Sequence, residues 1–173
     1  MKKILAIALL LIFQNSFAQE DATRGYRVKV GEQAPYLNFR LLDGTKHTNK
    51  SLKGKVVVLQ FTASWCGVCR EEMPHLEKEV WQKFKNDDFI LIGVDLKEDL
   101  SKVKRFIAQT KVTYPFTIDE DGSMFGRFTL PGAGVTRNIV LDKNGKIIFL
   151  SRLYKEKEFN DMIKVIENEL LKS

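Results

Sequence analysis

The sequence predicts an α/β domain built on a mixed central sheet with helices on both faces, and three observations carry that prediction. Two continuous apolar runs, VVVLQF at 56–61 and FILIGVDL at 89–96, read as strands buried on both faces. Each is followed by helical periodicity, and the order strand, helix, strand, helix implies a parallel pair joined by a crossover. Two later apolar runs, RNIVL and KIIFLSRLY, are divided by Asp142-Lys143-Asn144-Gly145. Asn-Gly between such runs signals a hairpin, which adds an antiparallel pair to the sheet.

Taken in order, the chain opens on MKKILAIALLLIFQNSFAQE, with two lysines, an apolar run over 4–13 and a small-residue ending at Ser16-Phe17-Ala18. This is the pattern of a secretory signal over 1–18, cut between Ala18 and Gln19. The run is short of the roughly 20 residues a bilayer span requires. Residues 19–33 are polar and Gly-containing and read as a flexible lead-in, and 34–173 read as one domain. YLNFRLLDGTKHTNKSLKGK alternates at Leu37, Phe39 and Leu41 and breaks at Asp43-Gly44, which predicts an N-terminal β-hairpin. The helix after the first buried strand carries Met73, Leu76, Val80 and Phe84 on one stripe. The helix after the second turns Val103, Phe106 and Ile107 inward, with Asp99 or Ser101 as its cap. PFTID is a short strand, DEDGSMFGRFTLPGAGVT a Gly-rich connection, and 156–171 a closing helix with Phe159, Met162, Ile163, Ile166 and Leu170 facing in.

Charge narrows the class of function. The 173 residues carry a formal charge of +6, but Lys2 and Lys3 belong to the signal, and the remaining basic residues alternate with acidic ones, as in EKEVWQKFKNDD. A solvated mixed surface follows, and no nucleic-acid partner is expected. The chain has two cysteines, both in TASWCGVCR, at Cys66 and Cys69. They fall where the first buried strand ends and a helix begins. A thiol there meets unpaired backbone N–H groups and the positive end of the helix dipole, which favour the thiolate. Cys66 is therefore the attacking residue, and Cys69, one turn further on, can resolve a mixed disulfide. A structural disulfide gains most by closing a long loop, and this loop is very short. A zinc site would need two more ligands, with His47 and His75 the remaining candidates and no second CxxC present. No cofactor and no metal are expected.

Beyond this spacing, VVVLQFTASWCGVCREEMPHLEKEVWQKF resembles the active-site strand and helix of the thioredoxin superfamily, most of all its exported TlpA/ResA-like branch of thiol-disulfide oxidoreductases. Trp65 before the first cysteine, Glu72 three residues after the second, and Pro74 in the helix fall where that branch has them. The hairpin segment and LDKNGKI resemble the same branch, so a thioredoxin-like fold is implied from about residue 30 onward. The resemblance implies Cys66 as nucleophile and Cys69 as resolving cysteine, together a redox-active disulfide. It places Trp65 beside the reactive sulfur and Glu72 as a carboxyl able to exchange protons with Cys69. An exposed first-turn glutamate is the alternative reading of Glu72. Pro74 is expected to kink the helix.

Three departures from the family pattern stand out. Gln60 occupies the position of thioredoxin's buried aspartate, and Val68 replaces the proline between the cysteines. In GVTRNIVLD, Thr136 stands where the family has a cis-proline, so the Val135–Thr136 bond is either trans or held cis by its surroundings. The loop holding Val135 and Thr136 ordinarily lies against the cysteine pair and meets the substrate chain, which makes Trp65, Val135 and Thr136 the expected substrate-binding or tuning residues.

Two other classes remain open at this point. A thiol peroxidase shares this fold, although Ala63 stands where a peroxiredoxin has threonine three residues before its cysteine. A CxxC metal-binding module would use the thiolates as a soft copper(I) site. The reading that results is an exported, periplasmic or otherwise extracytoplasmic thiol-disulfide oxidoreductase, used as a reductase. The resemblance implies disulfide-containing client proteins, a membrane thiol-disulfide electron donor and, among clients, cytochrome c maturation factors.

Overall fold

The computed structural model describes residues 24–172. The expected signal over 1–18, its cut after Ala18 and the start of the lead-in lie outside the described residues.

The strands are β1 (Asn38–Arg40), β2 (Lys46–Thr48), β3 (Val56–Thr62), β4 (Phe89–Leu96), β5 (Phe116–Asp119), β6 (Arg137–Leu141) and β7 (Ile147–Arg152). Five of them form one sheet in the order β5-β4-β3-β6-β7, with β3, β4 and β5 parallel and β6 and β7 antiparallel additions. β1 and β2 form the expected hairpin, with the turn glycine Gly44 at φ +92°, as a separate two-stranded sheet bridged to β5 through Leu41 and Thr117.

β3 is the centre because every one of its seven residues is buried. Its alternation feeds two cores. Val56 and Val58 join Met73, Leu76, Val80 and Phe84, and Val57, Leu59 and Phe61 join Phe125, Phe128 and Ile139. The first core lies under α1 (Gly67–His75), a π-helical stretch (Leu76–Trp81), α2 (Gln82–Phe84), α3 (Leu100–Thr110) and α5 (Glu156–Leu170). The second lies under α4 (Ser123–Phe128), the hairpin and the N-terminal segment. Helices thus cover both faces, three of the longer ones on the same side.

The kink expected at Pro74 takes the form of widened turns. Pro74 has no N–H to give to the preceding turn, and the helix continues directly after His75 as the π-helical stretch. The stripe of Met73, Leu76, Val80 and Phe84 is buried throughout. In α3 the cap is Asp99, whose carboxylate accepts the Lys102 N–H at 3.0 Å, while the Ser101 hydroxyl donates to that same carboxylate at 2.6 Å. α5 buries Phe159, Met162 and Ile166, with Ile163 and Leu170 half-buried against the same core.

Two expectations need correction. The lead-in over 19–33 is, from Arg24 on, seated in the domain: Tyr26 and Val28 are buried, Tyr26 bridges to Thr129, and Gln33 bridges to Lys146. Ordered packing therefore starts before residue 34, because two apolar side chains in a polar stretch find a sheet face left open by the helices. The Gly-rich connection contains α4, whose Met124, Phe125 and Phe128 are buried. Gly122 at φ +75° starts it, and the Asp119 carboxylate accepts the N–H groups of Met124 and Phe125 at 3.1 and 2.7 Å. Among the described residues no helix is long and apolar enough to cross a membrane.

Gly93 of β4 is required by its neighbour. It pairs with Phe116, and a Cβ built on it would sit 2.5 Å from that ring. The Phe116 ring stacks on Tyr114, with centroids 5.2 Å apart. Substituting Gly93→Ala is expected to lower unfolding free energy by about 1–3 kcal/mol through overpacking, read as a shift in the denaturant midpoint; an unchanged midpoint would show that the ring moves aside freely.

Candidate functional site

After Thr62 the chain leaves β3, turns through Ala63, Ser64 and Trp65, and enters α1 at Cys66. Cys66 has extended backbone angles (φ −88°, ψ 107°) and is the N-cap of α1. Its sulfur accepts the Cys69 N–H at 3.1 Å, the role that a serine or aspartate oxygen commonly fills. The turn is fastened from both sides. Glu98 accepts hydrogen bonds from the backbone N–H and hydroxyl of Ser64, and Arg70 donates to the Ser64 carbonyl at 2.9 Å.

Cys66 and Cys69 are joined in a disulfide, with Cα atoms 5.3 Å apart. Cys66 is 8% exposed and Cys69 0%, so a partner can reach only the first. Trp65 stands at the rim, 67% exposed. On the other side of the sulfurs the Val135–Thr136 peptide is cis. Thr136 is fully buried, and its Oγ1 lies 3.2 Å from Cys66 Sγ and 2.9 Å from Cys69 Sγ. Val135 is half-buried and packs against both cores.

Glu72 is 1% exposed, which excludes its reading as a solvated first-turn residue. One carboxyl oxygen accepts from Asn138 Nδ2 at 2.6 Å and the other from Gln60 Nε2 at 3.2 Å. Gln60 Oε1 in turn accepts from the Tyr114 hydroxyl at 2.7 Å, and Asn138 Nδ2 also reaches Ser151 Oγ at 3.2 Å. Burial pushes the Glu72 carboxyl up to about 7, against the two amides, which favour its charge. Asp95, at the end of β4, is fully buried and neither carboxyl oxygen has a hydrogen-bond partner. Burial first, and the negative charge of Glu98 second, push it up to about 7 as well.

Of the residues singled out from sequence, Cys66, Cys69 and Thr136 meet at hydrogen-bonding distance, Trp65 and Val135 flank them, and Glu72 lies beneath with its bonds directed to amides rather than sulfur. Tyr114, Asn138, Arg137, Asp95 and Glu98 were not singled out. Asn138 could have been found as a polar residue inside an apolar strand; it pairs directly across β3 and β6 with Gln60. Arg137 is the largest fully buried side chain; its guanidinium donates to the carbonyls of Gly134 and Arg24, both at 2.8 Å, and lies 4.5 Å from the centroid of the Tyr26 ring. His75 pairs with Glu79 and stacks on Tyr154. Among the described residues no group of three His, Cys, Asp or Glu side chains could hold a metal ion.

Comparison with known proteins gives three findings. The redoxin family matches residues 29–169. The thiol-disulfide oxidoreductase ResA of Bacillus cereus is 31% identical over 140 residues, covering 79% of this chain and 75% of the relative. A solution structure from Bacteroides thetaiotaomicron, described as a candidate protein disulfide isomerase, is 50% identical, with a TM-score of 0.82 over 86% of this chain and 94% of that one.

The buried carboxyls make stability depend on pH. The folded chain keeps Glu72 protonated to about pH 7, whereas its ordinary value is 4.5, so between these values the folded state binds more protons than the unfolded one. Stability from Glu72 is therefore full below pH 4.5 and lost as pH rises through 7. Replacing Glu72→Gln is expected to remove roughly 1–3 kcal/mol of this decline, measured by denaturant unfolding at both ends of the window; an identical decline in both proteins would place the titration elsewhere.

Proposed function

Since this chain belongs to the redoxin family and is a ResA-like thiol-disulfide oxidoreductase, we propose that it reduces protein disulfides outside the cytoplasm, with Cys66 attacking and Cys69 resolving. The observation that carries the reading is the asymmetry of the pair. Cys66 is the accessible sulfur and sits at a helix N-terminus accepting an amide N–H, whereas Cys69 is sealed behind it. Both the amide and the dipole lower the energy of a Cys66 thiolate.

In the forward direction the Cys66 thiolate attacks one sulfur of a client disulfide, and the other client sulfur leaves as a thiolate and takes a proton. Cys69, deprotonated, then attacks Cys66 Sγ, the Cys66–client bond breaks, and the second client sulfur leaves. Two electrons pass from the pair to the client. Exposed Trp65 supplies an apolar rim for the client chain, and the loop at 134–136 meets its backbone in strand-like pairing. Glu72, on the same helix face one turn beyond Cys69, acts through its charge: neutral, it allows Cys69 to ionise, and ionised, it keeps Cys69 protonated.

The chain's substrates are disulfide-containing and its redox partners thiol-disulfide proteins. Continued reduction needs a source of electrons, for which we infer a membrane thiol-disulfide donor, with cytochrome c maturation proteins among the clients. The resemblance of the WCGVC segment to the TlpA/ResA branch supports both.

The purified chain is expected to reduce insulin with a dithiol as electron source. Cys66→Ser should abolish the activity, and Cys69→Ser should accumulate a mixed disulfide visible on a non-reducing gel. A reduction potential near thioredoxin's, about −270 mV, would support a reductase, whereas one near DsbA's, about −120 mV, would make the protein an oxidant and overturn the direction proposed.

A further inference from the structure

The geometry points to the Thr136 hydroxyl as the positioning group that fixes the charge of the reduced pair, donating to a Cys66 thiolate while accepting from the Cys69 S–H. The inference rests on the reading of Cys66 as the attacking thiolate and adds what holds it in that state. With the pair joined as a disulfide, Thr136 Oγ1 already lies within hydrogen-bond reach of both sulfurs, 3.2 Å from Cys66 and 2.9 Å from Cys69, so it faces them when the bond is reduced. Among the described residues no other side-chain oxygen or nitrogen hydrogen-bonds either one.

A hydroxyl carries one donor hydrogen and two acceptor lone pairs. It can serve two sulfurs at once, as donor to one and acceptor from the other, when one is a thiolate and its neighbour a thiol. Two thiolates would leave one without a partner, and two thiols would offer the donor hydrogen only a neutral sulfur, a weak acceptor. The singly ionised pair is thus the state that Thr136 fits. The charge belongs on Cys66, because that sulfur also accepts the Cys69 N–H, whereas Cys69 is fully buried on the same helix face as Glu72.

The hydroxyl is held in place by its own neighbours. The Thr136 carbonyl accepts the Leu153 N–H at 3.0 Å, and the adjacent Arg137 guanidinium ties Gly134 to Arg24. A proline, the residue that the thioredoxin pattern has at this position, offers no group that could make these bonds to sulfur. The other charged groups around the pair are Glu72 and Arg70 on α1 and Asp95 and Glu98 at the end of β4 and just beyond it. Arg70 is directed to Ser64 and Gln109, and Arg137 on β6 points to the opposite face of the sheet.

The test is the pH profile of iodoacetamide alkylation of the reduced chain, with the modified cysteine located by peptide mass spectrometry. Thr136→Val, which keeps the shape and loses the hydroxyl, should raise the Cys66 midpoint by about one to two pH units, the size of a hydrogen bond to a charged group. Thr136→Ser should return it to the wild-type value, which a merely steric role would not do. Thr136→Pro is a second variant without the hydroxyl and should shift like valine, so one unfolded variant does not void the comparison. A valine or proline midpoint equal to wild type, or first alkylation at Cys69, overturns the inference. Failure of the wild-type chain to reduce insulin would instead remove the reductase reading and leave the alkylation midpoints to decide the role of Thr136.

Discussion

The hydrogen bond from the Cys69 backbone N–H to the Cys66 sulfur is the constraint around which the site is organised. It makes one atom both the cap that lets α1 begin and the atom proposed to react. That double role requires the sulfur to arrive at one point, at the end of a strand that cannot shift. β3 meets the requirement because it is buried on both faces and hydrogen-bonded along both edges, to β4 in parallel and β6 in antiparallel register. Glu98 and Arg70 then hold Ser64, so the three-residue turn between strand and helix has little freedom left.

Beneath the sulfurs, the face of the sheet that carries the helices is polar where an apolar core would be expected. Tyr114, Gln60, Glu72, Asn138 and Ser151 form a continuous hydrogen-bonded chain across β3, β6 and β7. Buried polar groups are costly unless partnered, and a low-dielectric surrounding strengthens the bonds that partner them. The chain therefore ties the helix to the sheet, and it leaves one carboxyl pushed up to about 7 under a redox pair. Gly93 contributes at a distance: by lacking a side chain it admits the Phe116 ring, on which Tyr114 stacks with its hydroxyl toward Gln60.

The opposite face fixes the loop that supplies Thr136. Arg137 follows Thr136 and, by strand alternation, turns away from the sulfurs into the second core. There it lies over Tyr26 and binds the carbonyls of Gly134 and Arg24. The Arg24 side chain pairs in turn with Glu158 of α5, so the N-terminal segment, the loop and the closing helix are linked through charged groups. A guanidinium with so little exposure is tolerated because backbone carbonyls and an aromatic face replace water around it.

Local patterns in the sequence were enough to establish the parallel strand pair of the core, the hairpin at Asp142–Gly145, the stripe of Met73, Leu76, Val80 and Phe84, and the position of the cysteine pair at a strand-to-helix junction. Each depends on residues adjacent in the chain or one helical turn apart, where periodicity and backbone chemistry act directly. The short helix at 123–128 and the seating of Tyr26 were hidden by glycines and polar neighbours, since each is stabilised by a surface that other segments provide. Glu72 shows the division most plainly. Its spacing from Cys69 was legible, but its burial, which shifts it upward, and the two amides that oppose the shift, Gln60 from β3 and Asn138 from β6, are brought together by the sheet. Likewise the sequence by itself determined that Thr136 stands where a proline is usual, and only the tertiary structure decided that its hydroxyl faces both sulfurs, because that approach joins residues nearly seventy positions apart through the pairing of two strands.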